Sequence, residues 1–200
     1  MSKKGKPKKI DPKKLRIEKL SEDHLNDIKN FESSNLELKK FLVEDALDNQ
    51  EKGISTTYLW YYNPENRLVA YITILNDSIK IHGTRLGENL RGNGIPYKSL
   101  PAMKIGRLSV NKRYERRGIG TQTTLFALSK ALELHERSAC RFLVVDAKRD
   151  SVHFYKKMGF EILKEREKGT IPMYYDMIKL IRYYKEKKFR ISDVKEQTPL

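Results

Sequence analysis

The sequence predicts an α/β fold built on a mixed central sheet flanked by helices. Three observations carry that expectation. An apolar strand over 103–110, an amphipathic helix over 118–135 and a short apolar strand over 142–146 follow one another. A β-α-β order of this kind calls for a parallel crossover. Upstream, residues 54–62 and 68–75 are rich in Thr, Tyr, Val and Ile and flank Asn63-Pro64-Glu65-Asn66, which reads as a hairpin turn. Finally, a chain of 200 residues suits one domain with tails.

Each element has its own signal. Residues 1–14 contain many Lys and two Pro and read as a disordered tail. Leu15 and Ile17 alternate as in a strand. Ser21 reads as a helix N-cap, with Glu22 and Asp23 in the favourable first turn. Leu38, Phe41, Leu42 and Ala46 predict one helix over 36–50, stopped near Gly53. Residues 82–100 hold Gly83, Gly87, Gly92, Gly94 and Pro96 and read as a long loop. In the helix over 118–135, Leu125, Leu128, Ala131 and Leu132 share a face. A helix over 149–158 stops at Gly159, and strands over 160–163 and 173–178 close the sheet. The expected domain is therefore 15–178, with a basic C-terminal extension over 179–200.

The formal charge of +15 is unevenly placed. Residues 1–20 hold nine basic and two acidic side chains, and 179–190 hold six basic and one acidic, so the domain between them is nearly balanced. Basic ends contact nucleic-acid phosphates or anionic lipid, or only solubilise the chain, and charge runs alone do not choose. Tyr183 and Tyr184, set among Lys and Arg, suit either base stacking or packing.

Several classes are disfavoured. A single cysteine, Cys140, precedes an apolar strand and allows no internal disulfide, which fits a reducing compartment. No apolar run reaches the ~18 residues of a membrane span, and no apolar region follows Met1-Ser2-Lys3-Lys4-Gly5-Lys6. The expected location is cytoplasmic. His24, His82, His135 and His153 are dispersed and lack metal-ligand spacing, so no metal is expected. Trp60, Tyr58, Tyr61 and Tyr62 read as strand residues that pack the core.

The chemistry concentrates where the strand ending Leu108-Ser109-Val110 meets Asn111-Lys112-Arg113-Tyr114-Glu115-Arg116-Arg117-Gly118-Ile119-Gly120-Thr121. A basic, Gly-containing turn opens a helix there. Backbone N–H groups at a helix N-terminus are unpaired, and with the helix dipole they form an anion site. Gly118 and Gly120 let a phosphate approach the backbone closely, and Arg116 and Arg117 add charge. The spacing is neither Gly-x-Gly-x-x-Gly nor a P-loop.

The run Glu115 to Gly120 resembles the acetyl-CoA motif of the GNAT superfamily, Arg/Gln-x-x-Gly-x-Gly/Ala after an apolar strand end. That resemblance implies a GNAT fold and an acetyl-CoA-dependent N-acetyltransferase. Carried over, Leu108, Ser109 and Val110 contact the pantetheine and acetyl group through backbone, and Arg116, Arg117, Gly118, Ile119, Gly120 and Thr121 hold the pyrophosphate. Acetyl-CoA lies in a wedge between the strand ending at Val110 and the strand over 142–146. This chain departs from the pattern at Glu115, a carboxylate that disfavours a pyrophosphate unless it turns away or pairs with Arg113 or Arg117. Phe154-Tyr155-Lys156-Lys157-Met158-Gly159-Phe160 matches a second GNAT motif, whose Tyr protonates the departing thiolate, and Tyr155 takes that role by resemblance. Lys148 stands where many GNAT enzymes carry Asn.

The likeness is sharper toward the toxin-type GNAT enzymes of toxin–antitoxin modules. It rests on Phe31-Glu32-Ser33-Ser34-Asn35-Leu36, Ala46 to Gln50, Gly106 to Val110, Val145-Asp146-Ala147-Lys148 and Ile171-Pro172-Met173. It implies aminoacyl-tRNA as acceptor, an antitoxin protein as partner and a homodimer. Arg85, Arg91, Lys98 and Arg107 are the residues expected to ring the acceptor cleft. A protein N-terminus, a lysine or a small amine stays open as the acceptor, as does a non-catalytic CoA-binding regulator.

Overall fold

The computed structural model describes residues 7–186. Seven strands follow the hydrogen-bonded order β1-β2-β3-β4-β5-β7-β6, with helices flanking the sheet. The described residues fall into two compact units, 7–74 with 107–126 and 75–106 with 127–186. Three elements run through both: β3 (Arg67–Lys80), β4 (Ser99–Val110) and α5 (Ile119–Ser138).

In the first unit, β1 (Leu15–Lys19) pairs antiparallel with β2 (Thr56–Tyr62), and β2 pairs antiparallel with β3. The expected hairpin turn forms over Asn63–Glu65, and Asn66 takes a left-handed φ of 45°, which short polar side chains tolerate. The single helix expected over 36–50 is two, α2 (Leu36–Glu44) and α3 (Ala46–Glu51), which follow the short α1 (Leu25–Lys29). The hydrogen-bond ladder continues through the joint, since Asp45 N–H reaches the Phe41 carbonyl and Asn49 N–H the Asp45 carbonyl. Asp45 is a turn residue between the two helices, consistent with the poor fit of Asp inside helices. Leu20, Ile28, Phe31, Leu42, Leu59, Tyr61 and Tyr71 form this unit's core. Gln50 pins α3 to it, donating to the Leu20 carbonyl at 2.7 Å and accepting from Thr57 N–H at 3.1 Å.

In the second unit, β4 and β5 (Phe142–Ala147) pair in parallel over Ala102–Ile105 and Phe142–Val145, which is the expected crossover. β7 (Ile171–Asp176) pairs antiparallel with β5 and with the two-residue β6 (Glu161–Ile162). The long loop expected over 82–100 instead contains a helix, α4 at Arg85–Gly92. Thr84 caps it, accepting from Gly87 N–H at 3.1 Å. Gly87 serves close packing, for an added Cβ would lie 2.1 Å from the Ile81 carbonyl oxygen. β3 also continues past Leu75 to Lys80: Asn76, Asp77 and Ser78 break the apolar alternation, but Ile79 returns to the core. α6 (Val152–Lys157) ends before Gly159 as expected. α7 (Ile178–Glu186) occupies the start of the C-terminal extension, with Ile178 N–H on Asp176 Oδ1 at 3.0 Å. Residues 1–6 and 187–200, which carry much of the two basic ends, lie outside the described residues.

Candidate active site

Residues 107–126 lie in the first unit, so Leu108, Ser109 and Val110 share it with Arg116 to Thr121. Gln122 N–H donates to the Gly118 carbonyl as the opening rung of α5. The N–H groups of Ile119, Gly120 and Thr121 thus precede the ladder and have no intrahelical acceptor. Arg116 and Gly118 both lie in the left-handed region, at φ 60° and 87°, and this pair of reversals turns the chain into the helix. A Cβ built on Gly118 meets nothing closer than Lys9 Cγ at 4.0 Å, so the space over the turn is open.

The turn is tied down from many sides. Asn111 N–H donates to the Val69 carbonyl at 2.7 Å, and the Asn111 side chain accepts from Arg113 N–H at 3.1 Å. Ser109, buried in β4, exchanges a 2.9 Å hydroxyl bond with Ser33. Tyr114 is buried and donates to a Glu65 carboxylate oxygen, while the Arg117 guanidinium lies 5.3 Å from the Tyr114 ring centre. Glu115 resolves simply. Ser34 Oγ donates to its carboxylate at 2.5 Å, and Arg113 instead pairs with Glu32 at 3.0 Å. The carboxylate is thus engaged by a neutral hydroxyl. Glu32, Ser33 and Ser34 are supporting residues that the motif alone does not reveal. Their signal in the sequence was the Phe31-Glu32-Ser33-Ser34-Asn35-Leu36 likeness to toxin-type GNAT enzymes, which assigns them no contact with the turn.

Tyr155 belongs to the second unit and is buried on α6, its ring edge-on to Phe154 and Phe160 at 5.1 and 5.3 Å. Burial alone pushes its phenol above the ordinary tyrosine range. The other shifted tyrosines differ. Tyr61 donates to Asp27, Tyr71 to the Leu38 carbonyl and Tyr174 to Glu161. Each has a protein acceptor, whereas no acceptor meets Tyr155 Oη among the described residues. Among the described residues the fully buried side-chain polar atom without a partner is Trp60 Nε1, so the Tyr155 hydroxyl, on an otherwise buried ring, is not sealed off.

The second unit also holds a cavity of about 380 Å³. Ile79, Val144, Leu163, Pro172 and Met173 give it apolar walls, and Lys80, Lys104, Lys164, Arg166, Asp77 and Asp146 also line it. Lys104 Nζ sits 2.7 Å from Asp146 and 3.5 Å from Asp77. Burial works against that ammonium, but the two carboxylates outweigh it and hold its pKa above the usual lysine range. The loop over 163–170 forms one wall, and Arg149 secures it by donating to the Arg166 carbonyl at 2.6 Å. None of the four cations expected to ring the acceptor cleft lines this cavity. Arg107 stacks over Phe41 at 5.0 Å, Arg85 lines a different cavity beside Glu161 and Tyr174, and Arg91 and Lys98 are exposed. Arg85, Arg91 and Lys98 were suggested by their place in one Gly-rich stretch, whereas strand register assembles the cavity from distant segments.

The Acetyltransferase (GNAT) family matches residues 21–160, a span that includes the turn, α5 and Tyr155. The chain belongs to the GNAT acetyltransferase family. It is an acetyl-CoA-dependent N-acetyltransferase. A tRNA-acetylating toxin of Mycobacterium tuberculosis (strain ATCC 25618 / H37Rv) is 25% identical over 138 residues, covering 68% of this chain and 80% of the relative. Among solved structures, AtaT complexed with acetyl-methionyl-tRNAfMet has a TM-score of 0.74 at 21% identity, covering 85% of this chain and 99% of that one. A tyrosine-to-phenylalanine variant of KacT has a TM-score of 0.73 at 20% identity, with the same coverage of 85% and 99%. An AtaT variant bound to acetyl-CoA and the C-terminus of the antitoxin AtaR has a TM-score of 0.69 at 19% identity, covering 86% and 98%. These likenesses support the GNAT fold. Among the described residues no helix is long and apolar enough to cross a membrane, and no three His, Cys, Asp or Glu gather as metal ligands.

Proposed function

We propose that this GNAT enzyme acetylates the α-amine of aminoacyl-tRNA. The observation that carries this reading is the charge of the second unit's cavity, where four cationic side chains meet two carboxylates over apolar walls. Such a cavity attracts a phosphate-bearing acceptor and repels polyamines and basic peptides. The tRNA-acetylating toxin and the tRNA-bound AtaT among its similar proteins support the same acceptor. An antitoxin partner, as AtaT has in AtaR, belongs to this reading.

Acetyl-CoA supplies the activated acetyl thioester. The open space over Gly118 and the free N–H groups at the start of α5 fit its pyrophosphate, with Arg116 and Arg117 adding charge. Leu108, Ser109 and Val110 offer β4 backbone to the pantetheine. The acceptor amine, in its neutral form, attacks the thioester carbon and loses its extra proton to water. The carbon–sulfur bond breaks, and Tyr155 gives its proton to the leaving sulfur. A phenol held protonated by burial is in the donating state throughout the neutral range.

The test is acetyl transfer from radiolabelled acetyl-CoA to charged tRNA, with uncharged tRNA and a pool of peptides and polyamines alongside. Label on charged tRNA alone is the expected result. Label on peptides or amines alone overturns the acceptor, and acetyl-CoA binding without transfer to any of them overturns the enzyme.

A further inference from the structure

Lys9 and Ile10 lie against the turn. Ile10 N–H donates to the Arg117 carbonyl at 3.0 Å, and Lys9 Cγ is the atom nearest the open face of Gly118. Asp11 follows, and its side chain caps the 3-10 turn Pro12–Lys14 by accepting from Lys13 N–H at 3.0 Å. This fixes the path of the chain just after Lys9. All of these residues belong to the first unit.

We infer that this segment is a latch that completes the acetyl-CoA phosphate site, with the Lys9 ammonium as an additional ligand to a phosphate of the bound donor. The inference rests on the reading of the Arg116–Thr121 turn as the pyrophosphate site. Three features of the geometry support it. The Arg117 carbonyl lies between two left-handed residues, and an unpaired carbonyl oxygen there would repel a phosphate. Ile10 occupies that oxygen, leaving N–H donors to face the anion. Lys9 is exposed, and its side chain runs on from Cγ beside Gly118, so the ammonium is free to follow a phosphate on that face. Finally, the neighbouring carboxylates are engaged elsewhere, Glu115 by Ser34 and Asp11 by Lys13 N–H. The arm therefore adds positive charge where the motif itself carries the unusual Glu115. Its lysine acts on the small-molecule donor, whereas composition alone left nucleic acid, anionic lipid and simple solubilisation open.

The experiment uses the full chain and calorimetric binding of two donors, acetyl-CoA and acetyl-pantetheine, which lacks phosphate. Lys9→Ala is expected to weaken acetyl-CoA binding about five-fold and Lys9→Glu roughly twenty-fold, with the penalty shrinking at high salt. Acetyl-pantetheine binding is expected to be the same in all three proteins. Ile10→Pro, which removes the N–H donor, is expected to weaken acetyl-CoA binding by a similar five-fold. Gly118→Val separates the two levels of the argument, with melting temperature checked for every variant. If Gly118→Val weakens acetyl-CoA binding while Lys9→Glu stays within two-fold of the parent, the latch is wrong and the turn stands. If neither changes binding, the pyrophosphate reading fails as well. Equal loss for acetyl-pantetheine, or a Lys9 effect confined to charged tRNA, also overturns the latch.

Discussion

The turn over 111–121 and the loop over 163–170 are both short connections beside a strand, yet they are held very differently. The turn is fastened by Val69, Glu32, Ser34, Glu65 and Ile10, which lie far from it in sequence. The loop is secured by Leu163 N–H on the Pro172 carbonyl and by the Arg149 guanidinium on the Arg166 carbonyl. A phosphate site assembled from backbone donors works only when those donors are fixed in advance. An acceptor wall that must admit a large, variable partner works better when it opens at low cost. In the proposed function the donor side is rigid and the acceptor side adapts.

The largest expected effect tests the chemistry that both sides serve. Tyr155→Phe is expected to lower the transfer rate roughly 100-fold. Because the hydroxyl has no protein acceptor, the same variant is expected to keep the parent melting temperature. A full rate in Tyr155→Phe would remove the assigned role. Next, Gly118→Val strains the rigid side, since a β-branched residue is poorly accommodated at φ 87°. It is expected to weaken acetyl-CoA binding roughly ten-fold, read by calorimetry. Arg149→Ala loosens the adaptable side and is expected to raise KM for the acceptor about three-fold, measured with charged tRNA at saturating acetyl-CoA. A larger change in acetyl-CoA binding than in acceptor KM would contradict the contrast drawn above.

The smallest effect near neutrality is the pH dependence of stability. Burial is the leading cause that raises the pKa of Tyr61, Tyr71, Tyr114, Tyr155 and Tyr174, with Tyr114 pushed up to about 12. A folded-state pKa above the unfolded value of about 10 gives stability that is complete below pH ~10 and is lost as pH rises past it. Thermal melts should therefore be flat from about pH 7 to 9.5 and fall steeply above ~10. A melting temperature that holds beyond that point would show the phenols to be less buried than the structure places them.

The strand-turn-helix was legible in the sequence because its signals are local. The apolar run, the Arg-Arg-Gly turn and the amphipathic helix each occupy consecutive residues, and the structure keeps them so. The hairpin and the crossover were legible for the same reason. α4 was not, since Gly87 reads as a breaker until the Ile81 carbonyl is seen to leave no room for a side chain. The cavity cations were hidden for a different reason. Lys80, Lys104 and the pair Lys164 and Arg166 come from three separate segments, and pairing such as Lys104 opposite Val144 assembles the cavity walls. Glu32 and Ser34 likewise show their purpose only when β3 and the turn are placed. Tyr155 came from the motif, but its bare hydroxyl is a tertiary fact.

The discontinuity of the first unit has a consequence for biosynthesis. Its parts are separated by 75–106, so the donor turn cannot be fastened to Glu32, Ser34 and Glu65 until residues near 120 have left the ribosome. Tyr155 emerges later still, and β7, which flanks β5, last among the strands. In the proposed function the enzyme is thereby inert until α6 has left the ribosome, and a nascent chain cut short before Tyr155 transfers no acetyl group.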